Sequence, residues 1–159
     1  MEAGKISSWE HNFHSSLERI LNNFKLDSDG YLISLDKMDV HFWSRFNDAS
    51  ELKPFKEEKF FSDLANSALE CMVFETGKST KALVEECFEL GKIKNRDYGS
   101  DNILIFGTLG LIVRIGDKLR RLNALKTRRA EVREKIIDTL MDIFNYAVFG
   151  SMLSKDIWF

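Results

Sequence analysis

The chain contains a single proline in 159 residues. Long proline-rich linkers are therefore excluded, and helices can run without interruption. Cysteine is almost as scarce. Cys71 and Cys87 lie in helical patterns and lack metal-type spacing, so no disulfide scaffold or thiolate zinc site is expected, and a reducing cytoplasm is the simplest home. Of the three histidines, His11 and His14 are one turn apart but have no further ligands nearby, which argues against zinc. An excess of one charge is also missing. With 23 basic and 25 acidic residues the net charge is -2, and nothing global favours nucleic acid or an anionic membrane. Long apolar runs are absent too. The longest, Ile103 to Val113, is broken by Gly107, Thr108 and Gly110 and is too short to span a bilayer. The start, Met1 to Lys5, is polar and leads into no apolar signal core.

What is present suits one α-helical domain. The chain is 44% hydrophobic and 12% aromatic, enough for a proper core. Residues from about Ser8 to Phe24 form a helical stripe through Phe13, Leu17, Ile20, Leu21 and Phe24. Asp27-Ser28-Asp29-Gly30 is a turn, Tyr31 to Leu35 reads as a short strand or extended link, and Val40 to Phe46 as a helix. Asn47 to Pro54 is the best boundary. It separates an N-terminal extension, residues 1–55, from a core, residues 56–159. Four stronger helices are predicted in that core, over Glu57 to about Phe74, Ser79 to about Lys94, about Thr108 to Leu125 and about Ala130 to Leu153. Ser79 or Thr80 is the expected N-cap of the second. The expected architecture is an all-α helical bundle with a small N-terminal helical extension.

Chemistry-bearing residues gather in the C-terminal half. On the last helix, Ile136, Leu140, Ile143 and Ala147 share one face, widened by Ile137, Phe144 and Val148. Glu134, Asp138, Asp142 and Asn145 cluster on another. Asp138 and Asp142, at i,i+4, repel unless a divalent cation chelates them. The competing reading is a solvated acidic face. The preceding helix carries Arg114, Asp117, Lys118 and Arg121 at i, i+3, i+4 and i+7. That is either a grip for a polyphosphate or a lattice of intrahelical ion pairs. Glu86 and Glu89, at i,i+3 after Glu85, suit one magnesium ion, although acidic pairs on helices are common. Lys94-Asn95-Arg96-Asp97-Tyr98-Gly99 sits where the second core helix ends. A base would stack on Tyr98 while Lys94 or Asn95 reads an oxygen, or the segment is a plain C-cap with Gly99 in a left-handed conformation.

Two imitations are set aside. Gly77-Lys78-Ser79-Thr80 resembles the end of a phosphate-binding loop, but Met72 stands where the first glycine is required and a helix precedes it. Asp27-Ser28-Asp29-Gly30 resembles part of a calcium loop, but Lys25 falls at the first ligand position and Asp36 at the twelfth.

Together, Lys94-Asn95-x-Asp97-Tyr98-Gly99, Arg114-x-x-Asp117-Lys118-x-x-Arg121-Leu122 and Glu134-x-x-x-Asp138-Thr139-Leu140-x-Asp142-x-x-Asn145-Tyr146-Ala147 resemble the nucleotide modification associated domain type 1. That family occurs in phages and bacteria. It is similar to the all-α nucleoside triphosphate pyrophosphohydrolases, the MazG and dimeric dUTPase group. The resemblance covers about Thr80 to Leu153. Those enzymes bind magnesium through a Glu-x-x-Glu helix and a later Glu-x-x-Asp helix. Glu86-Cys87-Phe88-Glu89 fits the first, whereas Asp138-x-x-x-Asp142 has one extra residue and Thr139 in the expected acid position.

The resemblance implies a Mg²⁺-dependent nucleoside triphosphate pyrophosphohydrolase, or a nucleotide-binding relative, in a bacterium or a phage-infected host cell. Glu86, Glu89, Asp138 and Asp142 would hold the metal, and Glu85 or Glu134 would orient the attacking water. Lys94, Asn95, Asp97, Tyr98, Arg114, Asp117, Lys118, Arg121 and Asn145 would hold the nucleotide. A dimer or tetramer is expected. The alternative is a non-enzymatic nucleotide- or protein-binding factor that blocks a host defence system, with Phe13, Phe42, Trp43 and Phe46 forming the surface for a host protein.

Overall fold

The structure, a computed structural model, describes residues 2–50, 57–99 and 101–158. It is all-α. The elements are α1 (Glu2–Asn22), α2 (Tyr31–Ser50), α3 (Glu57–Thr76), α4 (Thr80–Tyr98), α5 (Asp101–Ala124), a 3-10 turn (Lys126–Arg128) and α6 (Arg133–Ser154). No strand occurs among the described residues.

Helices α3 and α6 pack along each other as the centre of the bundle. Helix α2 lies on α3, α5 lies on α6, and α1 with α4 closes the remaining side. The sequence explains why α6 is central. From Thr139 to Met152 it buries residues on every side, with only Asp142 and Tyr146 partly open. A helix apolar all round belongs inside. It is also the one described helix long and apolar enough to cross a bilayer, but most of it is buried in the bundle, as a core helix is. Close approach at its C-terminal end is allowed by Gly150, where an added Cβ would stand 2.4 Å from the buried Phe61 ring. Gly91 plays the same part on α4, with the Phe13 ring 2.5 Å from where a Cβ would be.

Helix α2 departs from expectation. Tyr31 to Leu35 is neither strand nor link but its first turns. Tyr31, Leu35, Met38 and Phe42 are all buried, at i, i+4, i+7 and i+11, so the helical period runs unbroken from Tyr31 onwards. The boundary expected near Pro54 lies outside the described residues. On its N-terminal side, Trp9, Phe13, Leu17 and Phe42 join the same core as α3 to α6. Phe13 and Phe42 are thus fully buried, Trp43 is partly exposed, and the Phe46 side chain lies outside the described residues.

The loop between α1 and α2 is held by a buried carboxylate. Glu70 of α3 is fully buried and accepts from the Asp27 backbone N–H, the Ser28 hydroxyl and the Ser34 hydroxyl, the last at 2.8 Å. The loop that carries the calcium-like motif therefore meets an acidic side chain. A second buried acid, Glu75, meets Arg129 at 3.1 Å and Arg133 at 3.7 Å, tying the end of α3 to the start of α6. Arg129 also covers the Tyr31 ring at 4.5 Å, and burial raises the Tyr31 phenol above its usual pKa.

Glu70→Ala leaves three donors around an empty buried site. We expect a loss of about 3 kcal/mol in urea unfolding. Asp29→Ala in the same loop removes an exposed acid and should change stability by no more than about 0.5 kcal/mol.

Candidate functional site

The candidate site lies where α4, α5 and α6 converge. A cavity of about 390 Å³ opens between the C-terminal end of α4, the α4–α5 junction, the middle of α5 and α6. Helix α4 begins at the expected cap. The Ser79 hydroxyl accepts from the Ala82 N–H at 3.2 Å. The helix ends at Gly99, whose φ of 78° gives the chain the turn that the sequence predicted there. Helix α5 then starts at Asp101 and breaks its direction at Gly107, with φ 58° and ψ -150°. The two glycines bracket a short helical piece whose Asn102 and Ile103 form part of the cavity rim.

Asp142 organises the polar wall. Its side chain is 12% exposed and pairs with Lys94 of α4 and with Lys118 of α5, the latter at 3.0 Å. One carboxylate thus joins three helices. Arg114, one turn before Lys118, stands over the Tyr146 ring at 5.8 Å and makes no ion pair among the described residues. Both Arg114 and Tyr146 line the cavity.

Asn145 forms the deep end. It is buried, and its Nδ2 donates to the Cys87 carbonyl at 3.0 Å. Because a carbonyl only accepts, that bond fixes the orientation of the amide. The Oδ1 atom is buried and has no hydrogen-bond partner. Phe149 supplies an apolar wall beside it, backed by Phe13 at 5.1 Å, Trp158 at 5.2 Å and Trp9 at 6.1 Å between ring centroids.

The nucleotide residues expected from sequence divide cleanly. Lys94, Asn95, Arg114, Lys118 and Asn145 line one cavity. Asp97, Asp117 and Arg121 are exposed and take no part in its lining. Arg114 does not serve Asp117, so the intrahelical lattice is not what occupies it. The Tyr98 side chain lies outside the described residues. Sequence reasoning did not assign Tyr146 and Phe149 to the site. Their signal was present, since Asp142, Asn145, Tyr146 and Phe149 stand at i, i+3, i+4 and i+7.

The expected metal carboxylates do not converge. Glu86 is exposed and paired with Lys78 at 3.0 Å, and Glu89 is exposed and paired with Lys92 at 3.0 Å. Asp138, Glu85 and Glu134 are exposed, and Asp142 already holds two lysines. No group of three or more His, Cys, Asp or Glu suited to a metal occurs among the described residues. Among the described residues of one chain, the donor set therefore does not fit a carboxylate-held Mg²⁺. Cysteine chemistry is not available either. Cys71 and Cys87 are free and buried, and burial raises both thiols, helped at Cys87 by Glu86 and Asp142.

Residues 94–153 match the family model of nucleotide modification associated domain 1. The matched segment contains every described residue that lines the cavity except Gly91. The likeness to the all-α pyrophosphohydrolases gains no support, since no curated protein and no solved structure matches the chain.

Repulsion between Asp138 and Asp142 is not the dominant interaction here, because two ammonium groups compensate Asp142. Asp142→Asn should lower stability by about 1–2 kcal/mol by leaving those cations facing each other. Asp138→Asn should leave it within about 0.5 kcal/mol. Thermal melting of the two variants side by side checks this.

Proposed function

We propose that the cavity between α4, α5 and α6 binds a nucleotide and that lysine and arginine, not a carboxylate-bound metal, hold its phosphate. The observation that carries this reading is the wall formed by Lys94, Lys118 and Arg114 around one carboxylate, next to aromatic surface and a buried amide. Phosphates are recognised by such cations, and a base is recognised by apolar faces with one or two fixed polar atoms. The match of the same segment to a nucleotide-associated family agrees with it. Pyrophosphate hydrolysis would need a metal site assembled in some other way. Two buried, unbridged thiols suit a reducing compartment.

Calorimetric titration with a panel of nucleotides, with and without Mg²⁺, tests the reading. Binding should occur in both conditions, and Arg114→Ala should cost about 1.5–3 kcal/mol for the lost charged hydrogen bond. Absence of binding by the wild type, or an Arg114 variant of unchanged affinity, would remove this function. Release of pyrophosphate on turnover would instead support the hydrolase.

The apolar face of α5 favours a further partner. Ile105, Phe106, Leu109 and Val113 are 71, 65, 70 and 59% exposed. We infer that a second copy of the chain covers them. Beyond this face lie exposed Asp117 and Arg120, of opposite sign, so a two-fold contact can set each acid against a base. Light scattering should give a dimer that Leu109→Glu dissociates. A monomeric wild type would sink the idea.

A further inference from the structure

We propose that Asn145 selects the base of the nucleotide held in this cavity, by accepting a hydrogen bond from an N–H on the edge of that base. The proposal rests on the nucleotide reading above and specifies which bases fit it.

The amide offers one kind of hydrogen bond only. Asn145 is 4% exposed and lies on α6 against α4, where its Nδ2 donates to the Cys87 carbonyl at 3.0 Å. A Cβ added at Gly91 would stand 3.5 Å from the same Nδ2, so α4 closes on the amino side of the amide. Turning the amide over would set Oδ1 against the Cys87 carbonyl, acceptor facing acceptor. The Oδ1 atom is therefore the group left for a ligand, and it has no hydrogen-bond partner among the described residues. A buried acceptor without a donor is costly, and a ligand N–H removes that cost.

Its position assigns it to the base. Along α6, Asp142, Asn145 and Phe149 stand at i, i+3 and i+7, and all three line the cavity. The ammonium groups of Lys94 and Lys118 gather at Asp142, the end assigned to the phosphate. Asn145 comes between that end and the ring of Phe149, with Tyr146 next to it. Apolar faces beside one fixed polar atom suit a heteroaromatic ring. Uracil and cytosine carry donor and acceptor in exchanged order at the same two edge positions, and so do hypoxanthine and adenine. A fixed acceptor therefore meets a donor in one member of a pair and another acceptor in the other.

The test is calorimetry on the intact chain with two pairs of nucleotides, uridine against cytidine and inosine against adenosine, as ribo- and deoxyribonucleotides. Members of a pair are compared at equal phosphate number, so the contacts of sugar and phosphate cancel from the ratio. In the wild type, one member of at least one pair should bind about tenfold or more tightly than the other. Asn145→Ala should bring that ratio to within about threefold. Lys118→Met should weaken both members and leave the ratio in place. An analogue of the preferred nucleotide in which the donating N–H is a C–H, or the amino group a hydrogen, should lose about tenfold on the wild type. Ratios near one in both pairs, or a ratio that persists in Asn145→Ala, would overturn the role of Asn145 and leave nucleotide binding standing. So would an analogue of unchanged affinity, a result that depends on no variant folding. No binding of any nucleotide would overturn both.

Discussion

The C-terminal half of this bundle is organised by one carboxylate that accepts two ammonium groups from two other helices. Lys94 and Lys118 reach Asp142 from α4 and α5. It holds the two ammonium groups close in the space between the helices. One turn further along α6, Asn145 bonds the α4 backbone at Cys87. These two contacts set how α4 lies against α6, and the cavity is what remains between them and α5. Gly91 lets the Phe13 ring of α1 lie against α4.

Periodicity alone revealed the helices and most of the core. Trp9 aside, the buried stripe of α1 through Phe13, Leu17 and Ile20 and that of α6 through Ile136, Leu140 and Ile143 follow from spacing. Ser79 and Gly99 marked the ends of α4 because capping is local chemistry. The start of α2 was misread because Tyr31 to Leu35 is too short and too mixed to separate alternation from a helical turn. Only the continuation through Met38 and Phe42 decides it. At the site, Lys94 and Asn95 of α4, Arg114 and Lys118 of α5 and Asn145 of α6 were recognisable, whereas Tyr146 and Phe149 were not assigned and Glu86 and Glu89 were not excluded. Glu86 and Glu89 sit on one side of α4 while Lys94 and Asn95 sit on the side that meets α6. Which side of a helix meets a neighbour is a tertiary choice that spacing within the helix does not encode.

Buried acids elsewhere serve the architecture. Glu70 gathers the donors of the α1–α2 loop, and Glu75 receives Arg129 and Arg133. Both stand on α3, the partner of α6 at the centre of the bundle. The central helix pair thus anchors the N-terminal helices by polar contacts as well as by apolar packing. Helices α1 and α2 in this respect share one core with the segment 94–153.

The aromatic wall of the cavity joins the two ends of the chain. Phe149 touches Trp9, from the first helix, and Trp158, from the last described residues, and these indoles are 5.7 Å apart in a near-perpendicular arrangement. The third tryptophan, Trp43, lies on α2 and bonds Asp39. Two of the three tryptophans therefore rest against the back of the cavity. A change in the packing of Phe149 would alter their emission without any attached dye, so the wild-type chain carries its own optical report on the state of this wall.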